Sequence, residues 1–279
     1  MSSYRFCRTD DVSLLVDALN RCWSPHFPDE PAMTPATFKR SIRDLQVWCS
    51  SCMVAFAGSD PIGVLIGAKR PSATLVHRIA VHPDHCRQGH ARHLLASLSS
   101  KLAILGPPRI VAEVPETFDA ARELFSASGY VEQVVLTDYV VRQPVQPVEI
   151  PGTFMIPVTV DDLVANGLVG AGDVRCWERS VETLTARKAE IAGLAVASDE
   201  RIEAYVLHRP DGEILAIHSV VEDRGARLKA LLSRLRAGSP ATWRLPKVHP
   251  EEISQQLLES LGFQAFGHYR FYGATARAV

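Results

Sequence analysis

The 279 residues are 47% hydrophobic and carry 30 Lys and Arg against 31 Asp and Glu, a net charge of −1. That is a globular composition, long enough for two domains that each bury a core. It offers no electrostatic argument for nucleic acid, no apolar run of membrane-spanning length and, in MSSYRFCRTDD at the start, no apolar core of a signal peptide. The expectation is a soluble, cytoplasmic protein with neither nucleic-acid nor membrane partners.

Residues 4–9 fit a first strand, and Asp10 or Asp11 then caps a helix whose Val12, Leu15, Val16 and Leu19 share one face. Four prolines at 25, 28, 31 and 35 exclude regular helix or central strand from the segment Ser24–Pro35, which also holds Asp29 and Glu30. Thr34 or Thr37 starts a helix with the stripe Phe38, Ile42, Leu45. Of six cysteines only Cys49 and Cys52 form a CxxC. The pair follows a helix and precedes a strand, the reverse of a thioredoxin, and no second pair exists for zinc, so packed reduced thiols and no metal are expected. The apolar runs Cys52–Ala57 and Ile62–Ala68 flank Gly58-Ser59-Asp60-Pro61, a hairpin signal.

The segment VHRIAVHPDHCRQGHARHLLASL, residues 76–98, is the densest in signal. An apolar run to Val81 reads as a buried strand, and Pro83 stops it. After Arg87-Gln88-Gly89, Ala91, Leu94, Leu95 and Leu98 recur at i, i+3, i+4, i+7, a helix with one buried stripe. Unsatisfied amides at that helix start, beside Arg87 and Arg92, form an anion site, so a phosphate-bearing cofactor is expected. No Lys-Ser or Lys-Thr follows the glycine, which argues against a P-loop. Beyond Pro107-Pro108, Arg109–Val114 is a strand, Pro115 and Thr117 start a helix ended by Gly129, and two short strands lie near Val131–Val135 and Asp138–Val141. Pro144, Pro147, Pro151 and Pro157 mark a linker over 143–157, dividing domains at 1–142 and 158–279.

The second half repeats the first weakly. Tyr205–Leu207 and Ile214–Val221 read as strands, Leu228, Leu231, Leu232 and Leu235 as a helix stripe, and Trp243–Val248 as a strand. LLESLGF at 257–263 echoes LFSASGY at 124–130, and Tyr272 lies as far past Gly262 as Tyr139 past Gly129. Val81 precedes Ala91 by ten residues and Val221 precedes Ala226 by five, so the second copy lacks the loop that builds the anion site.

The first half resembles the GNAT superfamily of acetyl-CoA-dependent N-acetyltransferases. Cys86, Arg87, Gln88, Gly89, His90 and Ala91 match its Q/R-x-x-G-x-G/A loop, with Cys86 where Gln or Arg is usual. Phe118, Ala121, Leu124, Phe125, Gly129 and Tyr130 match its Asn-x-x-Ala-x-x-Leu-Tyr…Gly-Phe segment, with Phe at both the Asn and the Tyr positions. The resemblance implies an α/β fold with a mixed sheet in two tandem copies, the second degenerate. It implies acetyl transfer from acetyl-CoA to a primary amine of a small molecule or peptide by direct attack, without metal. It places the cosubstrate on Ile79, Ala80, Val81, Arg87, Gln88, Gly89, His90, Ala91, Arg92, Phe118 and Phe125, with the backbone N–H of Val81 as oxyanion donor. His77 is the candidate base, as in arylalkylamine acetyltransferases, and Glu113 its rival. Phe125 cannot protonate the leaving thiolate; Ser126, Ser128 and Tyr130 are the hydroxyls nearby. Asp29, Glu30 and Phe27, with Trp23 and Met33, are expected at the acceptor. The other reading is an acyl-CoA-binding sensor or interaction module of little or no activity. Monomer and homodimer both remain open.

Overall fold

The computed structural model describes residues 2–142, 150–170, 172, 175–236 and 242–278. By internal contacts the chain falls into two compact units, Met1–Val134 with Arg270–Val279, and Val135–Tyr269.

The first unit begins β1 (Ser2–Phe6), α1 (Val12–Cys22), α2 (Pro35–Leu45), β2 (Met53–Ala57), β3 (Asp60–Lys69) and β4 (Thr74–Val81). It continues α3 (His90–Leu105), β5 (Arg109–Pro115), α4 (Asp119–Ala127) and the start of β6 (Val131–Val141). β1 to β4 are successive antiparallel neighbours, whereas β4 and β5 are parallel and joined through α3. Thr34 caps α2 by accepting from Thr37 N, and Pro35 sits in the first turn, where its missing N–H costs nothing. Leu94, Leu95, Leu98 and Leu102 of α3 pack on Met53, Ala55, Leu65, Val76, Ile110 and Ala112. Burial of each such leucine contributes about 1.5–3 kcal/mol, which fixes the helix, and with it the loop before it, against the sheet.

The second unit holds the end of β6, then β7 (Phe154–Pro157), α5 (Val160–Ala165), α6 (Val181–Ala186), β8 (Ala192–Ala197), β9 (Ile202–His208) and β10 (Ile214–Ser219). α7 (Ala226–Arg236), β11 (Trp243–Val248), α8 (Gln255–Ser260) and the start of β12 (Gln264–Thr275) follow. β7 to β10 form an antiparallel sheet, and β11 pairs with β6. Leu228, Leu231 and Leu232 of α7 share a core with Trp243, Leu245, Leu258 and Phe263.

Several expectations are corrected. The first strand spans Ser2–Phe6, not residues 4–9, and α4 begins at Asp119, past Pro115 and Thr117. The two short strands after Gly129 are one, β6, because Thr137-Asp138 reads as a turn yet makes none: Asp138 Oδ1 accepts from Lys247 N on β11 at 2.7 Å. The last strand, β12, has no period-2 signature, and its second half, from Arg270, lies in the first unit between β5 and β6. Tyr272 therefore packs with Phe125 and Tyr130 in the first core, while its sequence counterpart Tyr139 packs with Trp243 in the second. Of the linker prolines, Pro144 and Pro147 lie outside the described residues, and Pro157 ends β7. No helix among the described residues is long and apolar enough to cross a membrane.

Candidate active site

The cradle before α3 is built from backbone. Arg87 (φ 62°) and Gly89 (φ 87°) are both left-handed, which turns the chain sharply just before the helix. His85 N and Cys86 N bond back to His82 O and Pro83 O, and His93 N is the first amide to enter the helix ladder, on Gly89 O at 3.0 Å. The six amides between, from Arg87 to Arg92, have no partner among the described residues. A Cβ placed on Gly89 meets nothing within 4 Å, so the space before the helix is open. Six open amides in and before the first turn of a helix suit a pyrophosphate. By this geometry the residues present fit a CoA-type cosubstrate.

The side chains of this loop do less than the sequence suggested. Arg87 and Arg92 are exposed, and Arg87 lies 3.4 Å from Glu123. His90 turns inward: Nδ1 meets Tyr4 Oη at 2.7 Å and Nε2 is buried without a partner among the described residues. Only its N–H remains for an anion. Cys86 is exposed, with Sγ 3.6 Å from the carbonyls of Val81 and His82.

β4 carries the second part of the site. Its parallel pairing with β5 runs Thr74↔Ile110 and Leu75↔Val111, and His77 and Glu113 each stand two residues past the last pair. Against β3 the register shifts between Ile66↔Arg78 and Gly67↔Val76, which leaves His77 as the extra residue of a bulge. His82 N bonds to Ile62 O, so alternation turns the N–H groups of Ala80 and Arg78 toward β3 and those of Val81 and Ile79 toward the β5 side. Val81 and Ile79 thus both offer an amide there; the carbonyl of Val81 is engaged by His26 Nε2 at 2.8 Å. Ala112 and Val114 pack in the α3-side core, so Glu113 points to the opposite face.

On that opposite face the loop after α1 closes over β4. The Arg78 guanidinium lies 4.7 Å above the Trp23 ring and 3.4 Å from Glu30, which accepts from Trp23 Nε1 at 3.1 Å. Trp23 stacks on Phe27 at 4.2 Å, and Phe27 meets Phe118 edge-on at 5.1 Å. Phe27, Glu30 and Phe118 are therefore brought together, with Glu30 already paired to a cation. Asp29 is exposed, and Met33 is pinned by its backbone to Asn20. His26, Trp23 and Arg78 complete this cluster. Arg78 adjoins His77 in sequence, but nothing in the spacing links it to a loop 48 residues earlier.

Phe125 is buried, stacked on Tyr272 at 5.8 Å and edge-on to Tyr130 at 5.1 Å. The Tyr130 and Ser128 hydroxyls are buried and lack partners among the described residues, and burial pushes the Tyr130 phenol up. Cys49 and Cys52 are reduced and buried; burial pushes both thiols up, away from redox reactivity. No group of three or more His, Cys, Asp or Glu among the described residues is placed to hold a metal.

Residues 13–130 match the model of the acetyltransferase (GNAT) family. The fold is that of a tandem GNAT protein from the clavulanic acid biosynthesis pathway, at TM-score 0.66 and 16% identity over 99% of both chains. A GCN5-related N-acetyltransferase from Sphaerobacter thermophilus aligns at TM-score 0.70 and 14% identity, over 99% of this chain and 96% of its own. One from Anabaena variabilis aligns at 0.67 and 11%, over 99% and 73%. The whole chain thus has the mixed α/β GNAT fold.

Proposed function

We propose that a chain with this fold and this cradle is an N-acetyltransferase that passes the acetyl group of acetyl-CoA directly to a primary amine of a small molecule or peptide, in the cytoplasm and without a metal. The observation that carries the reading is the run of six unpartnered amides, Arg87 to Arg92, between a strand that parts from its neighbour and the helix that follows. The first unit binds the cosubstrate, and the second is a degenerate copy.

Acetyl-CoA, when bound, supplies an activated acetyl thioester. The amides from Arg87 to Arg92 hold its pyrophosphate, with Arg87 and Arg92 adding charge. Ile79 and Ala80 line its arm, and Phe118 and Phe125 flank it. The N–H of Val81, turned toward the β5 side, is the oxyanion donor, a contribution of about 3 kcal/mol. His77, at the bulge where the strands part, takes the proton of the ammonium; an imidazole titrates in the range this needs. Glu113 is the rival, favoured by lying on the same face as Arg78 and the aromatic loop. The acceptor enters beside Phe27, Glu30 and Asp29.

Isothermal titration with acetyl-CoA and a free-thiol assay over an amine panel test the reading; no acetyl-CoA binding sinks it. His77→Ala lowers kcat/KM about 10²–10⁴-fold, removes the neutral-range inflection of its pH profile and leaves acetyl-CoA affinity unchanged. If Glu113→Gln does this and His77→Ala does not, the base is Glu113. A second reading, a binding module without turnover, is favoured by Phe125, an aromatic ring without a hydroxyl between two tyrosines. Binding of acetyl-CoA with no thiol release on any amine selects it.

A further inference from the structure

β10, α7 and β11 repeat β4, α3 and β5. In each unit an antiparallel hairpin partner precedes the first strand, a helix crosses over, and the second strand returns in parallel. In the second unit the parallel contact is the bridge Glu213↔Arg244, and past it stand Leu215 and Pro246. Before α7, Arg224 (φ 55°) and Gly225 (φ 80°) are likewise left-handed, adjacent where Arg87 and Gly89 are two apart.

We infer that the second unit keeps the cosubstrate scaffold but fills it from its own chain, Asp223 standing in for the phosphate and Arg179 for the group between the strands, so that one chain takes one equivalent of acyl-CoA. This rests on the reading of the first unit given above.

The helix start is occupied by a carboxylate. Asp223 Oδ1 accepts from Gly225 N at 3.0 Å, and its Oδ2 accepts from Arg227 N and from Arg227 Nη1, both at 2.9 Å. Asp223 O accepts from Ala226 N at 3.2 Å, and Arg227 is held further by Glu203 at 2.7 Å. An anion on helix-start amides backed by a guanidinium is what a phosphate would find. Burial pushes the Asp223 carboxyl up, but the Arg227 guanidinium and the two amides outweigh it and hold it below its usual value. The Cα side of Gly225 is also covered: a Cβ there would lie 2.7 Å from Leu257 Cδ1, whereas on Gly89 it meets nothing within 4 Å.

The parting of the strands is occupied by a cation. Arg179 is fully buried; Nε donates to Leu215 O and Nη1 to Pro246 O, both at 2.9 Å, and Nη2 meets Glu252. One guanidinium therefore ties β10 to β11 just past their bridge, with its charge answered by a buried carboxylate. Carbonyls left facing each other there without a donor would each carry a desolvation penalty, which Arg179 removes.

The full chain tests this. Titration with CoA gives one site, and Gly89→Val removes all of it; two sites, or one site surviving Gly89→Val, overturns the inference. A second arm is independent of CoA. In the Gly89→Val background, which closes the first cradle, Asp223→Ala frees the α7 amides, and inorganic pyrophosphate then raises the melting temperature by a few degrees, with no such rise in Gly89→Val alone. If Asp223→Ala does not fold in that background, Asp223→Gly, which also removes the side-chain acceptor, is read the same way. No rise above the single variant in the one that folds means that the carboxylate fills no anion site. Absent CoA binding to the wild type with pyrophosphate rescue intact sinks the acetyltransferase reading and leaves the self-filled second unit standing.

Discussion

The two helix starts, at Gly89 and at Gly225, share a left-handed bend and differ in what the chain brings to their amides. Before α3 the connection is long and Pro83 holds it away; its one acid, Asp84, is near His82 at 3.7 Å. Before α7 the connection is two residues shorter, 220–225 against 82–89, because β10 ends at Ser219 and not at Val221, and Asp223 is drawn onto the amides it precedes. A few residues of loop decide whether an anion-binding start is left for a ligand or is satisfied internally. The open amides are left to solvent or to a ligand, and the met ones make α7 an ordinary capped helix.

Valine at the two glycines breaks this comparison most sharply. At Gly89 a β-branched residue faces φ 87° with open space around it, so the loop must refold to relieve about 1–3 kcal/mol of strain. Acetyl-CoA affinity is expected to fall at least about 100-fold, the loss of two or more amide contacts to an anion at about 1.5–3 kcal/mol each. The denaturation midpoint moves little. At Gly225 the same substitution drives into Leu257. There the midpoint falls and acetyl-CoA affinity stays within about twofold, since those amides hold Asp223 and not a ligand. Calorimetry and urea melts on both variants separate the two outcomes; equal loss of affinity in both would erase the distinction between the units.

The cradle was legible in sequence because its determinants are local. A strand, a proline, a glycine and a helical stripe within 23 residues fix where amides stay unpaired. The hairpin at Gly58-Ser59 and the stripes of α1, α2, α3 and α7 were legible for the same reason. Arg179 was not: its partners Leu215, Pro246 and Glu252 lie 36 to 73 residues away, and no spacing rule links them. Nor was the crossing of β12 into the first unit. The echo of Gly129…Tyr139 in Gly262…Tyr272 showed two equivalent tyrosines, but equivalence in sequence does not say which core each one enters. The acceptor-side cluster was half legible. Aromatic residues in a proline-rich loop mark a packed loop, and only the fold sets Arg78 under Trp23.

The cores on which the two exchanged tyrosines land supply a smaller test. Tyr139 packs against aliphatic and indole side chains, whereas Tyr272 stacks on Phe125, which the proposed function sets beside the cosubstrate. On the proposed function, Phe125→Tyr adds one hydroxyl near the leaving sulfur. A thiolate leaves tolerably near its own pKa of about 8.5, so the gain in kcat is expected to be about tenfold, below the usual range for a general acid. Acetyl-CoA affinity stays unchanged. Stopped assays at saturating acetyl-CoA read this directly; unchanged turnover with unchanged binding would mean that no proton is needed at that position, or that Tyr130 or Tyr272 already supplies it, which Tyr130→Phe and Tyr272→Phe then distinguish.

The smallest expected effect concerns pH, and it should set the units apart by kind. In the first, the proposed base His77 is read through activity. In the second, His208 at the end of β9 is read through stability: burial lowers its pKa, and only a 3.4 Å approach to Arg209 O works the other way. Its ring lies edge-on to Trp243 at 5.1 Å, in an environment that favours the neutral form. Below pH about 6.5 the unfolded chain binds a proton that the folded chain refuses, so stability declines as pH falls from there toward the lowered folded value. His208→Phe keeps an aromatic ring against Trp243 and removes the titration. Urea midpoints between pH 5 and 8 should then converge for variant and wild type at the alkaline end and diverge at the acid end, with the variant the more stable. Parallel curves would place the acid sensitivity elsewhere, and Asp223 is the next group to test: its folded pKa is lowered, so its contribution is lost only as pH falls through that lower value, at distinctly more acid pH than a histidine's.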